Sequence, residues 1–213
     1  MKNHREPILY DGLLYIIPLA VLSLIIALLG RPFFSLFTLS VAAFIAFFFR
    51  NPERSIPQEE GIIVSPADGK VILIQDIFEK ECLNAKAIKL SIFLSLIDVH
   101  INRIPCSGEI VNVNRKSGNF LAAFKDEASI ENECISICIS HHRHKILVKQ
   151  IAGVLARRII CWGNVGDKVE RGQRYGLIKF GSRIDIFLPP QIELKVKIGD
   201  KVKGGETILG VLK

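Results

Sequence analysis

In this 213-residue chain the backbone itself can be made to react at a glycine followed by a serine between two apolar runs. The stretch is Lys179-Phe180-Gly181-Ser182-Arg183-Ile184-Asp185-Ile186-Phe187-Leu188-Pro189. Gly181 has no Cβ, so its backbone reaches conformations closed to other residues and its carbonyl can be approached closely. The Ser182 hydroxyl, one residue later, has the reach to attack that carbonyl and turn the amide into an ester. β-Elimination of the ester cuts the chain and leaves dehydroalanine at the new N-terminus. Hydrolysis with loss of ammonia then yields a pyruvoyl group, an electrophilic carbonyl that forms a Schiff base with an amine and acts as an electron sink. A Gly-Ser pair is also an ordinary turn, so this chemistry needs partners elsewhere in the chain.

Self-cleavage requires a base for Ser182 and its α-proton, and chemistry through the new carbonyl requires an acid to return a proton to a carbanion. His100 lies in Asp98-Val99-His100-Ile101-Asn102-Arg103-Ile104-Pro105, at the end of an apolar run and before a turn, where polar side chains can converge on a pocket rim. Asp98 is one candidate to orient it. Asp68 lies in Ser65-Pro66-Ala67-Asp68-Gly69, and Asp-Gly is also a common turn pair. His141, His142 and His144 cluster with Arg143 and Lys145 but lack carboxylate or thiolate neighbours, so a solvated turn is expected and no metal site. No phosphate-binding glycine loop or nicotinamide fingerprint is present.

The run from Gly166 to Arg183 closely resembles the cleavage-site region of pyruvoyl-dependent phosphatidylserine decarboxylases of the short type, found in archaea and many bacteria. The resemblance extends through Ser65-Pro66-Ala67-Asp68-Gly69, Asp98-Val99-His100-Ile101-Asn102-Arg103, Gln150-Ile151-Ala152-Gly153 and Ala156-Arg157-Arg158. It implies a proenzyme that cleaves itself between Gly181 and Ser182, with Ser182 becoming the covalent pyruvoyl cofactor. By the same resemblance His100 assists decarboxylation, and Asp68 is the acidic member of the self-processing group. Longer members have His-x-x-His where this chain has His100 and Arg103. Arginine stays protonated and is no ordinary base. The base for cleavage is therefore left open, and Arg103, with Asn102, is a candidate to bind the substrate's carboxylate or phosphate.

These residues need a scaffold. Met1 to Pro7 is polar and basic, then Leu13–Leu29 and Phe33–Phe49 are uncharged apolar runs separated by Gly30-Arg31-Pro32. Each is about 17 residues, roughly 26 Å as helix against a hydrocarbon core of roughly 30 Å. The pair predicts a helical membrane hairpin over residues 1–54, either spanning or re-entrant. Lys2, Arg5, Arg50 and Arg54 outnumber the single Arg31 in the turn, which predicts that both ends face the cytoplasm. The net charge of +7 fits an anionic lipid surface. Basic residues are scattered and aromatics few, which disfavours nucleic acid. The five cysteines read as small buried residues in a reducing compartment.

Residues 55–213 predict a mainly β domain, sandwich- or barrel-like. Strand signals lie at Gly61–Val64, Val71–Ile74, Ile88–Leu96, Gly108–Val113, Ile135–Ser140, Ile146–Ile151 and Arg158–Trp162. Ser117–Glu127 and Gly153–Arg157 are the expected short helices. Gly166-Asp167-Lys168-Val169-x-x-Gly172 is echoed by Gly199-Asp200-Lys201-Val202-x-x-Gly205, like the hairpins of lipoyl domains. The expectation is a membrane-held decarboxylase converting phosphatidylserine to phosphatidylethanolamine. It would be cleaved into a β chain of residues 1–181 and an α chain of 182–213, with the oligomeric state open. An archaetidylserine substrate is the near alternative, and a non-catalytic, membrane-tethered lipoyl-like module the distant one.

Overall fold

The computed structural model describes residues 4–118, 132–153, 159–178 and 182–212. The chain divides into two compact units, His4–Glu53 and the part from Arg54 onward.

The first unit is a helical hairpin of α1 (Tyr10–Leu28) and α2 (Pro32–Phe48). Uninterrupted apolar sequence favours helix, and Gly30, at φ +70°, with Pro32 in the first turn of α2, reverses the chain between the two. The helices are joined by reciprocal serines: Ser23 Oγ donates to Ser35 O at 2.8 Å and Ser35 Oγ to Ser23 O at 2.9 Å. At the open end Leu9 N donates to Phe49 O, and Asn51 Nδ2 to His4 O and Glu6 O. Leu14, Ile17, Phe33 and Phe37 are exposed on its surface. With 19 residues and a mean hydropathy of 2.3, α1 is long and apolar enough to cross a membrane, which suggests membrane association; α2 has 17 residues.

The second unit is mainly β, as its alternating and β-branched runs predict. An eight-stranded antiparallel sheet runs in the order β13 (Lys201–Val202), β2 (Gly69–Glu79), β3 (Ala85–Leu94), β11 (Ser182–Leu188), β7 (His144–Ile151), β6 (Cys134–His141), β5 (Gly108–Lys116), β9 (Lys168–Val169). Two three-stranded sheets accompany it: β1 (Ile62–Val64), β14 (Ile208–Val211) and β12 (Glu193–Leu194), with β14 central; and β4 (Ile101–Arg103), β10 (Arg174–Ile178) and β8 (Ile159–Cys161), with β10 central. One buried core draws on all three sheets, with Leu90, Ile92, Ile137, Ile146, Val148, Ile184 and Ile186 from the large one. The expected helices at Ser117–Glu127 and Gly153–Arg157 fall largely on residues 119–131 and 154–158, outside the described residues.

The repeated Gly-Asp-Lys-Val segments are structurally equivalent. Their strands, β9 and β13, form the two opposite edges of the eight-stranded sheet, and each leads into the central strand of a small sheet. Gly166 and Gly199 sit at φ +89° and +98°, a left-handed conformation that glycine adopts without strain. Gly166 N donates to Ile110 O as Gly199 N does to Val71 O, and both receiving strands shift register there. The domain is thus two related halves meeting between β11 and β7.

The outer face of the large sheet is covered by the tip of the β2–β3 hairpin. Glu79 accepts the backbone N–H groups of Glu81, Cys82 and Leu83, while Glu81 pairs with Lys149 and accepts from Ser136. Cys82 and Cys138 are disulfide-bonded, which corrects the expectation of five reduced cysteines. Their Cα atoms lie 6.0 Å apart because the tip folds back onto β6, a contact across 56 residues of chain that spacing does not reveal. Cys106, Cys134 and Cys161 are free and buried, as expected.

Candidate active site

Ser182 is the first residue of β11, fully buried. Side chains alternate along a strand, so Ser182 shares the inner face with Ile184 and Ile186, while Arg183 and Asp185 face outward. Its register partner is Leu94, the last residue of β3. The Ser182 hydroxyl has no hydrogen-bond partner among the described residues.

His100 enters the same layer from the other side. It precedes β4, and its carbonyl accepts from Ile178 N, the last residue of β10, at 3.3 Å. Two residues along, Asn102 reaches the large sheet, where its Oδ1 accepts from Gln150 Nε2 at 2.7 Å. Gln150 is opposite Ile184 in the β7–β11 register and so lies on the face that carries Ser182. From this Asn102–Gln150 level, His100 on one sheet and Ser182 on the other both lie one pleat toward the end of β10 and the start of β11. Both therefore lie on the side of that contact where β10 ends and β11 begins. Residues 179–181, between them in the chain, lie outside the described residues.

The His100 ring is fully buried, and its Nδ1 is 2.9 Å from the Asp98 carbonyl. A carbonyl only accepts, so Nδ1 carries the proton and Nε2 is the basic nitrogen. The Asp98 carboxylate does not orient this ring. It accepts from Ser95 N at 2.8 Å and Ser95 Oγ at 2.6 Å, closing the turn between β3 and β4, and the backbone carbonyl orients the ring instead.

Asp68 ends the turn between β1 and β2. Its Oδ2 accepts from Arg54 Nη2 at 2.7 Å and its Oδ1 from Gly204 N at 2.8 Å. Burial raises its carboxyl above the usual value; the Gly204 N–H and the Arg54 charge oppose this, and the nearby Asp98 carboxylate adds to it. Among the described residues no hydrogen bond joins Asp68 to His100 or Ser182. The equivalent position in the other half is Ser107, whose Oγ accepts from Arg171 N at 3.1 Å. A hydroxyl thus suffices for that backbone contact. What Asp68 adds is a negative charge, shared with Arg54, which also reaches Glu206 at 3.4 Å.

Arg103 points to the opposite side of β4 from His100 and Asn102. It is buried, and Nη1 donates to Gly172 O at 2.9 Å, so the guanidinium holds the turn after β9. The His141–His144 turn joins β6 to β7, and among the described residues no group of three or more His, Cys, Asp or Glu side chains is placed to hold a metal ion.

The family model for phosphatidylserine decarboxylase matches residues 41–210. The chain belongs to the phosphatidylserine decarboxylase family. It is 44% identical to the phosphatidylserine decarboxylase proenzyme of Geotalea uraniireducens over all of both chains. It is also 44% identical to the proenzyme of the same name from Geobacter sulfurreducens, again over all of both. The Syntrophus aciditrophicus proenzyme is 42% identical over 98% of this chain and 99% of its own length. In this family member two residues close to the site go beyond the sequence-derived set. Arg54 reads in the sequence only as a charge flanking the hairpin, and its contact with Glu206 spans 152 residues. Gln150 reads only as one letter of a resembling motif.

Proposed function

We propose that this chain decarboxylates phosphatidylserine to phosphatidylethanolamine, using a pyruvoyl group made from Ser182 when the chain cuts itself after Gly181. The observation that carries this reading is the buried Ser182 at the head of β11, its hydroxyl without a partner among the described residues, in the layer that also receives His100. A structural serine buried in an apolar core is normally hydrogen-bonded. A serine destined to become part of an electrophile fits this position, since burial keeps water from the reacting groups. The pyruvoyl group, once formed, supplies a carbonyl that condenses with the substrate amine and accepts the electrons released with CO2.

The chain's own residues divide the remaining work. His100 Nε2 takes protons in the layer it shares with Ser182 and returns one to the decarboxylated carbon. Asp68 supplies the negative charge that favours a protonated base during cleavage. Asn102 Nδ2 offers neutral donors to a carboxylate, while Arg103, turned to the other side of β4 and tied to Gly172, holds the turn after β9 rather than binding substrate. Residues 182–213 form the α chain and residues 1–181 the β chain. The α chain would stay bound, because β11 pairs along its length with β3 and β7, β13 with β2, and β14 with β1.

Residues 1–54 are the proposed anchor and 55–213 the catalytic part, facing the cytoplasm by the flanking charges. The Cys82–Cys138 bond argues against that side, because cytosolic disulfides are rare. Thiol labelling in intact cells against lysed ones decides between them. The activity test presents phosphatidylserine vesicles to the purified protein. Release of CO2 with appearance of phosphatidylethanolamine, abolished by Ser182→Ala, is expected; no conversion by the wild type would refute the reading.

A further inference from the structure

We infer that Gln150 is a positioning residue, which fixes the end of the Asn102 side-chain amide that faces the layer of Ser182 and His100. The inference rests on the functional reading above and deepens it.

Gln150 is fully buried on the inner face of β7, where its neighbours Ile146 and Val148 are apolar. An amide in such a layer is costly unless hydrogen-bonded. Its Nε2 donates to Asn102 Oδ1 at 2.7 Å and to Ile160 O at 3.3 Å. The second contact decides the orientation. A backbone carbonyl only accepts, so Gln150 must turn its NH2 group toward β8. Asn102 must then offer its oxygen to Gln150, which leaves Asn102 Nδ2, with two N–H donors, at the other end of the amide. Gly176 in β10 makes the crossing passable: a Cβ there would lie 2.6 Å from Gln150 Nε2 and 2.4 Å from Ile160 O.

The inward ends of this amide pair are the informative ones. Asn102 Nδ2 and Gln150 Oε1 are both buried, and neither has a hydrogen-bond partner among the described residues. Ser182 Oγ shares that property in the same layer. Buried polar atoms without protein partners are rare enough to mark where a reacting or bound group completes them. Nδ2 suits a group carrying negative charge, such as the substrate carboxylate, whereas the flipped amide would present Oδ1 and repel it.

The test is the near-isosteric Gln150→Glu, with Gln150→Met beside it, each followed for self-cleavage and for turnover of phosphatidylserine vesicles across pH. Protonated, the new carboxyl can donate to Asn102 Oδ1 as glutamine does. Ionised, it demands a donor and flips Asn102. Burial raises such a carboxyl. Gln150→Glu should therefore show a falling limb in kcat/KM, absent from the wild type, with a drop of about tenfold or more for one misdirected donor. Gln150→Met should be reduced at every pH without that limb, and thermal melting at each pH verifies that both are folded. Wild-type kcat/KM and pH profile in both variants would overturn the inference. If neither variant folds or matures, the wild type with 15N-labelled Asn and Gln decides: Asn102 Nδ2 resonances should shift on adding glycerophosphoserine, and unmoved signals overturn the inference. A wild type that neither cleaves nor turns over lipid instead refutes the underlying functional reading.

Discussion

Asp185 is the residue whose replacement tests most severely how the strand carrying Ser182 is held. On the outer face of β11 its Oδ1 accepts from Arg183 Nε at 2.6 Å, and Lys89 Nζ lies 3.2 Å from its Oδ2. Arg183 Nη2 also donates to Ser91 Oγ at 2.8 Å, and Arg183, Asp185 and Ser91 are fully buried. Two cations thus share one carboxylate next to the proposed nucleophile, Arg183 and Asp185 fully buried and Lys89 largely so. Asp185→Asn keeps the shape and removes the charge. Breaking a buried pair from one side costs about 3–5 kcal/mol, because desolvated charge stays behind. For a unit of this size that is roughly 6–20 °C in Tm. The measurement is thermal and urea unfolding in detergent, in a Ser182→Ala background so that cleavage does not change the species. Replacing the whole group at once (Lys89→Met, Arg183→Met, Asp185→Leu) should cost less than Asp185→Asn alone. A loss below about 1 kcal/mol for Asp185→Asn, or a triple variant less stable than the single, would refute the reasoning.

Asp68 gives a pH signature of definite sign. Its folded pKa is raised by burial, so the folded state holds its proton to higher pH than the unfolded state does. Its contribution to stability is therefore greatest below the ordinary value of 3.8 and is lost as pH rises through the raised folded value. The stability of wild type relative to Asp68→Asn should fall across that window in urea titrations. After cleavage, the α chain should co-elute with the β chain in detergent and separate only in denaturant, since β11 lies between β3 and β7. Purified in air, the native protein should expose few reactive thiols, with Cys106 pushed up to about 12 by burial. Denaturation should reveal three free thiols, and reduction two more, from Cys82 and Cys138.

Much of the architecture is legible in local pattern. Two uncharged runs around Gly30-Arg31-Pro32 read as a helical hairpin from their length and apolarity, and the strict alternation in Ile135–Ser140 reads as a strand from its period of two, although residues 134–139 are buried on both faces. The doubled Gly-Asp-Lys-Val segment reads as a repeat and lands on opposite sheet edges. What local pattern misses is long range. Strand β11 is buried on both faces, and nothing local shows that Arg183 and Asp185 are sheltered; their partners Lys89 and Ser91 lie some ninety residues earlier. The Arg54–Asp68 pair joins a hairpin flank to a turn, and Asn102 meets Gln150 across 48 residues. Asp98 is the reverse case: proximity in sequence suggests that its carboxylate orients His100, yet Ser95 takes the carboxylate and only the Asp98 carbonyl meets the ring.

The central claim is that Ser182 becomes the electrophile, and intact-mass spectrometry of the protein purified from membranes, beside Ser182→Ala, tests it most directly. Two fragments are predicted, split after Gly181, with the smaller lighter by one ammonia than a chain beginning with serine, and a single uncut chain for the variant. A single uncut wild-type chain, indistinguishable from Ser182→Ala apart from the substituted atom, would contradict it.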